Sequence, residues 1–252
     1  MADSKNSAKY HFADFTRDNY ARLLDLAAAG YQFRTYRDYS ATSNFVVWRH
    51  DLDFSLHAAA KLADIEAQKG VIATYFFLLH SQFYNLLERE CVDLCRKIVS
   101  RDHRVGIHFD HQFWEVRDED ALVDALTFER RVLERVLDRP IDAFSFHIPD
   151  AISERFQKPV YAGLANTYSE FFRTQVGYCS DSNGYWRHRR LEDVLRSKAD
   201  GCLQVLTHPE YWQDRVMSPR ERVDRCIQGR AENVRRWYAD ILATSGREDV
   251  DW

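Results

Sequence analysis

Glycine and proline are scarce in this 252-residue chain, nine and five residues respectively. No stretch gathers them into a linker, and no internal repeat is visible, so one domain is expected. No apolar run approaches the ~20 residues needed to cross a bilayer. Cysteine is sparse as well. Five cysteines, odd in number and without a Cys-x-x-Cys pair, point to buried thiols and away from a disulfide framework. Positive charge is not in excess: 35 Lys and Arg against 39 Asp and Glu leave a net charge of −4, which disfavours a nucleic-acid binder. The segment Met1–Ser7 lacks the apolar stretch of a secretory signal, so a cytoplasmic location is expected. A Gly-x-Gly-x-x-Gly or phosphate-loop signature is missing too, which disfavours a dinucleotide or nucleotide fold.

What is present is alternation. Apolar periodicity predicts helices over 16–29, 55–69, 85–101 and 119–137, and a last helix from Ser218 to about 242 that opens on a serine cap, Pro219 and Glu221. Short apolar runs over 44–50, 71–79, 104–108, 143–146, 177–179 and 202–206 read as strands. Strands alternating with helices give an α/β domain with a parallel sheet, and a (β/α) barrel is favoured. The expected organisation is one domain over 1–252, with an N-terminal extension 1–43 and the C-terminal helix 218–242.

The residues that follow the strands carry the chemistry. Successive strand ends bear Arg49-His50-Asp51-Leu52-Asp53, His80-Ser81, His108-Phe109-Asp110-His111, His147, Ser180-Asp181-Ser182 and Thr207-His208-Pro209. In a parallel barrel these ends share one rim, where active sites are built. One polar residue at a strand end is commonplace. Six ends dominated by His and Asp are the side chains that a hydrolytic metal site requires. Asp51 and Asp53, two apart, can face one side, one holding a metal and the other acting as base. His108 and His111 can reach the same ion from a turn. One Asp with two His leaves positions open for water and substrate, which suits zinc, or iron, cobalt or manganese, better than magnesium. His208 can protonate a leaving group. His80 and Arg49 are candidates for substrate contact, although Arg49 can equally pair with Asp51 or Asp53. Trp186 and Trp212 follow rim motifs and are candidates to stack on a sugar ring, core packing being their other fate.

These segments, together with Thr74–Leu79, resemble the polysaccharide deacetylase (NodB-homology) family, and more narrowly its divergent members from O-antigen clusters. The resemblance runs from Asn44 to Trp212 in the expected order. It implies a distorted (β/α) barrel and a metal-dependent amide hydrolase that removes an N-acyl group, acetyl above all, from an amino sugar or nucleotide-linked sugar. It assigns the base to Asp51 and a metal ligand to Asp53, with the reverse left open because Leu52 splits the family's Asp pair. It assigns ligands to His108 and to His111, which comes one residue early. Asp110 or His147 is the alternative third ligand. His147 otherwise stands in for the family's arginine and contacts substrate. Asp181 is the acidic residue that helps position the site, and His208 the acid. The implied partner is a small molecule or sugar, with no nucleic acid and no membrane. Two other readings stand beside it: a catalytically drifted, non-enzymatic sugar-binding barrel, and a hydrolase of another small amide such as an N-formyl compound.

Overall fold

Strand β2 (Phe45–Leu52) is buried along its whole length, as a central strand of a parallel sheet covered on both faces must be. The computed structural model describes residues 2–39 and 44–250. The ends of the expected domain, at 1 and 251–252, and the last residues of the expected extension, 40–43, lie outside the described residues. The other strands are β1 (Gln32–Arg34), β3 (Thr74–Phe77), β4 (Arg104–Phe109), β5 (Ala143–Phe146), β6 (Val160–Tyr161), β7 (Leu164–Asn166), β8 (Gly177–Ser180) and β9 (Cys202–Thr207). Their order is β6-β7-β5-β4-β3-β2-β9-β8, and β1 pairs with the first half of β2. Every pairing is parallel except β6 with β7. The sheet curls into a half-barrel left open between β6 and β8, the distorted (β/α) barrel anticipated from the sequence. Strand β1 falls within the expected N-terminal extension, so part of that segment belongs to the sheet.

The long helices follow the predicted runs: α2 (Arg17–Ala28), α3 (Leu56–Gln68), α4 (Arg89–Val99), α5 (Glu119–Leu137) and α8 (Pro219–Ser245), with the shorter α1 (Ala2–Lys9), α6 (Glu170–Thr174) and α7 (Leu191–Ser197). Thr16, Ser55 and Asp118 cap α2, α3 and α5 through their side chains, and Ser218 with Glu221 forms a reciprocal capping box on α8. No helix among the described residues is long and apolar enough to cross a membrane. None of the five cysteines is in a disulfide.

Strand periodicity divides the side chains between two layers. Val46, Trp48 and Leu52 of β2 join the large core beneath the helices, with Tyr75, Phe77, Ile107, Phe144 and Val205. Phe45 and Val47 face the inside of the curl and pack with Tyr36, Phe76, Ala143 and Phe172. The inner face narrows around Gly106, where a β-carbon would overlap the Phe76 ring and stand 3.0 Å from the Ala143 carbonyl.

His50 sits in the outer layer of β2. It meets the fully buried Glu66 of α3 at 2.6 Å, and its Nδ1 lies 2.7 Å from Thr207 Oγ1. The hydroxyls of Tyr20 and Tyr75 also donate to Glu66. This polar knot ties α2 and α3 to three strands, and its acceptor oxygens are paired as a buried carboxylate requires.

Candidate metal centre and catalytic cleft

Asp51 and Asp53 lie on the inner side of β2 and its continuation, because positions two apart on a strand share a face. The intervening Leu52 points to the opposite core. His108 on β4 faces the same interior, and its register partner on β5 is Ser145. His147, two residues past Ser145, keeps that parity. The result is a cluster at the C-terminal ends of β2, β4 and β5, at the mouth of a cleft of about 640 Å³.

Asp53, His108 and His147 converge, with one ligand atom of each within 4.8 Å of the others. Asp53 Oδ1 is 3.1 Å from His108 Nε2 and 3.5 Å from His147 Nδ1, and the two imidazole nitrogens are 3.1 Å apart. Asp51 and Ser145 set the tautomer of His108. The Ser145 hydroxyl donates to Asp51 Oδ1 at 3.3 Å, so its oxygen accepts from His108 Nδ1–H at 2.8 Å. In neutral His108 the lone pair is then on Nε2, facing Asp53 and His147. Asp53 Oδ1 is buried and accepts no hydrogen bond. Two imidazole nitrogens converging on a buried orphan carboxylate oxygen fit a divalent cation with nitrogen and oxygen ligands, and the Ser145 hydroxyl holds the His108 ring in the orientation such a cation would need. Without an ion, burial pushes the Asp53 carboxyl up, but His108, His147 and His208 together hold it well below the usual carboxylate range.

Asp51 lies beside this cluster, and its Oδ2 accepts a hydrogen bond from Arg49 at 3.0 Å. Arg49 is wholly buried, and it also donates to Thr167 Oγ1 at 2.6 Å and to the Tyr168 hydroxyl at 3.3 Å. This corrects the expectation that Arg49 touches substrate: it lies under the cleft floor and orients Asp51, since a strand-centre arginine needs a buried counter-charge.

On the opposite flank, Asp181 after β8 is fully buried and accepts three hydrogens: from the backbone of His208 at 3.0 Å, from His208 Nδ1 at 2.7 Å and from Trp212 Nε1 at 3.0 Å. His208 Nδ1 is therefore protonated, and Nε2 points to the cleft, 3.8 Å from Asp53 Oδ2. Burial pulls the His208 pKa down, but the hydrogen bond and charge of Asp181 overcome it and raise the value to about 10.

Two further corrections concern the tryptophans. Trp186 packs on Phe15 and Trp212 and donates to Asp14 at 2.9 Å. Trp212 is buried against Phe15 and Tyr20. Neither ring reaches the cleft, and both take the core fate with their N–H groups satisfied. His111 also stands apart from the cluster: it is buried edge-on to Phe146, with Nε2 2.9 Å from Asp150. His147, one of the alternatives for the third ligand, is the residue within reach of Asp53 and His108. His80 lines the cleft. Tyr168 and Tyr178 line it as well and were not singled out in the sequence. Tyr178 on β8 was accessible to parity, whereas Tyr168 sits in a loop with no pattern to announce it.

No protein-family model and no curated protein matches this sequence. Among solved structures, the chain is similar to a family 4 carbohydrate esterase pseudoenzyme of Bacillus anthracis at 17% identity and a TM-score of 0.43, over 77% of this chain and 63% of that one. It thus spans less than two thirds of that protein. It is also similar to a chitin deacetylase of Colletotrichum lindemuthianum (15% identity, 75% of this chain and 83% of that one, TM-score 0.42). A family 4 carbohydrate esterase of Bacillus subtilis gives 12% identity, 84% of each chain and a TM-score of 0.42.

Proposed function

We propose that this protein is a metal-dependent amide hydrolase that removes an N-acyl group, acetyl above all, from an amino sugar or nucleotide-linked sugar. The observation that carries the reading is the convergence of Asp53, His108 and His147, with Asp51 on one side and the Asp181–His208 pair on the other. Asp53, His108 and His147 are the residues that would hold the cation, zinc being the ion that best matches two imidazoles and a carboxylate. The cation supplies Lewis acidity toward the amide carbonyl and toward water.

The chain's own residues do the rest. Asp51 is the base that takes a proton from the attacking water. Arg49 and Ser145 hold its carboxylate in one orientation, so little reorganisation is needed when the proton arrives. His208, with Nδ1 locked on Asp181, presents Nε2 to the departing amine and is charged at neutral pH, as an acid must be. The aromatic walls Tyr168, Tyr178 and Tyr211 suit a sugar face.

The test couples metal content by elemental analysis with acetate release from N-acetylglucosamine and UDP-N-acetylglucosamine, with N-formyl analogues alongside. About one ion per chain and acetate release abolished by Asp51→Asn supports the reading. Stoichiometric metal without release of any acyl group rejects hydrolysis and leaves a binding barrel.

A further inference from the structure

Arg222, near the start of α8, is wholly buried, yet no carboxylate lies within ion-pair distance of it among the described residues. Its guanidinium donates instead to carbonyls of three separate segments: Gly184 at 2.9 Å, Met217 at 2.6 Å and Phe12 at 3.3 Å. The guanidinium carbon stands 4.5 Å from the centroid of the Phe15 ring. Burial pulls the Arg222 pKa down to about 10, and the charge of Asp181 is the largest influence opposing that fall. A buried cation without a contacting carboxylate is costly, and here its planar fork of N–H donors satisfies several carbonyls at once.

One of those carbonyls belongs to a turn over 181–184, which the Gly184 N–H closes on the Asp181 carbonyl at 2.8 Å. Asn183 and Gly184 both have positive φ, 62° and 77°, a backbone that asparagine and glycine tolerate. A β-carbon on Gly184 would stand 3.0 Å from the Tyr211 ring and 3.1 Å from Pro219, so the turn is seated tightly between the cleft wall and α8. Arg222 grips its far end. At its near end Asp181 orients His208, whose Nε2 is 3.8 Å from Asp53. Between them, Ser182 and Asn183 line the cleft together with Tyr211. The Ser182 hydroxyl is taken by Ser180 at 2.7 Å. The exposed Asn183 amide has no hydrogen-bond partner among the described residues.

We propose that Asn183 is a substrate-contacting residue that hydrogen-bonds the sugar hydroxyls, and that Arg222 is its positioning residue, acting through the Gly184 carbonyl. The proposal rests on the deacylase reading in taking the ligand of this cleft to be a sugar. An amide offers both donors and an acceptor, which matches hydroxyls that do the same. Two residues after the partner of His208, Asn183 stands on the flank where the proposed acid meets the departing amine. A turn already held by Arg222 loses little freedom when the sugar arrives, which favours binding.

The experiment reads binding apart from turnover. N-acetylglucosamine and UDP-N-acetylglucosamine are titrated into the metal-loaded protein, followed by calorimetry and by the side-chain amide resonances of Asn183. Those resonances should shift to a saturating limit. Asn183→Gly keeps a residue suited to the left-handed backbone and removes the amide, and it should weaken binding about three- to tenfold, the worth of a hydrogen bond. Arg222→Met should weaken it to a similar extent at unchanged metal content and circular dichroism, and Arg222→Lys should recover part of the loss. Because Arg222 acts through Asn183, Arg222→Met should add little in the Asn183→Gly background. If Arg222→Met does not fold, Gly184→Ala displaces the same turn and takes its place in this cycle. Losses that multiply independently overturn the positioning role. Unchanged affinity in Asn183→Gly, or no binding of either sugar, overturns the whole proposal. A protein that binds sugar through Asn183 yet releases no acyl group sinks the deacylase reading alone. One that hydrolyses these sugars while Asn183→Gly binds them like the parent sinks only this proposal.

Discussion

His108 Nε2 and His147 Nδ1 face each other across 3.1 Å, from the ends of neighbouring strands β4 and β5. Two imidazole nitrogens at that distance beside an unpartnered carboxylate oxygen are the groups that would hold the cation of the proposed hydrolase. Substituting His147 by alanine should therefore remove most of the bound metal, as should His108→Ala. His111→Ala, which breaks only the contact to Asp150, should leave stoichiometry near that of the parent. Elemental analysis of dialysed protein decides the matter, and normal metal content in His147→Ala would exclude it from the set.

Ser145 links Asp51 to His108 and fixes which nitrogen of the ring is free. Loss of such an outer hydrogen bond costs about ten- to a hundredfold in metal affinity. Ser145→Ala should show that loss in a chelator competition while remaining folded. An unchanged metal affinity would mean that the hydroxyl does not orient the ligand.

Arg49 and Asp51 form an ion pair with almost no solvent exposure. Removing one partner from such a pair leaves an uncompensated buried charge, at a cost of about 3–5 kcal/mol. Arg49→Met should lower stability by that amount in urea unfolding and reduce turnover. Asp51→Asn should abolish turnover while metal content persists.

The pocket of Glu66, His50 and two tyrosine hydroxyls has a pH signature. Burial pushes the Glu66 carboxyl up, but the charge and hydrogen bond of His50, with His103 and Tyr20, bring it below its ordinary value of 4.5. A carboxylate with a depressed folded pKa adds stability above its unfolded pKa and loses it as pH falls through the folded value. Unfolding free energy should thus decline below about pH 4.5, and Glu66→Gln should flatten that slope while costing about 3–5 kcal/mol at neutral pH. Parallel pH profiles for the two proteins would contradict the assignment.

Gly106 allows the inner face to close beside His108. Gly106→Ala forces a methyl group into Phe76, and overpacking of this kind costs about 1–3 kcal/mol. A thermal melt of the variant measures it.

Periodicity and capping made the fold class legible in the sequence, because they act locally. The apolar run of β2, the serine cap and Pro219 of α8, and the His and Asp residues after successive strands can be read without knowing where the chain goes next. Strand parity placed Asp51 and Asp53 on one face for the same reason. The short strands β1, β6 and β7 carry too few residues for a period to register, and only pairing with distant partners defines them. The choice of His147 over His111 as the neighbour of Asp53 depends on the register of β4 against β5, a non-local quantity. The burial of Arg49, Trp186 and Trp212 depends on which side of the curled sheet meets helices and which meets solvent. Residue type and local spacing supplied the chemical repertoire. Curvature and register, fixed only when all the strands assemble, decided which of those groups meet.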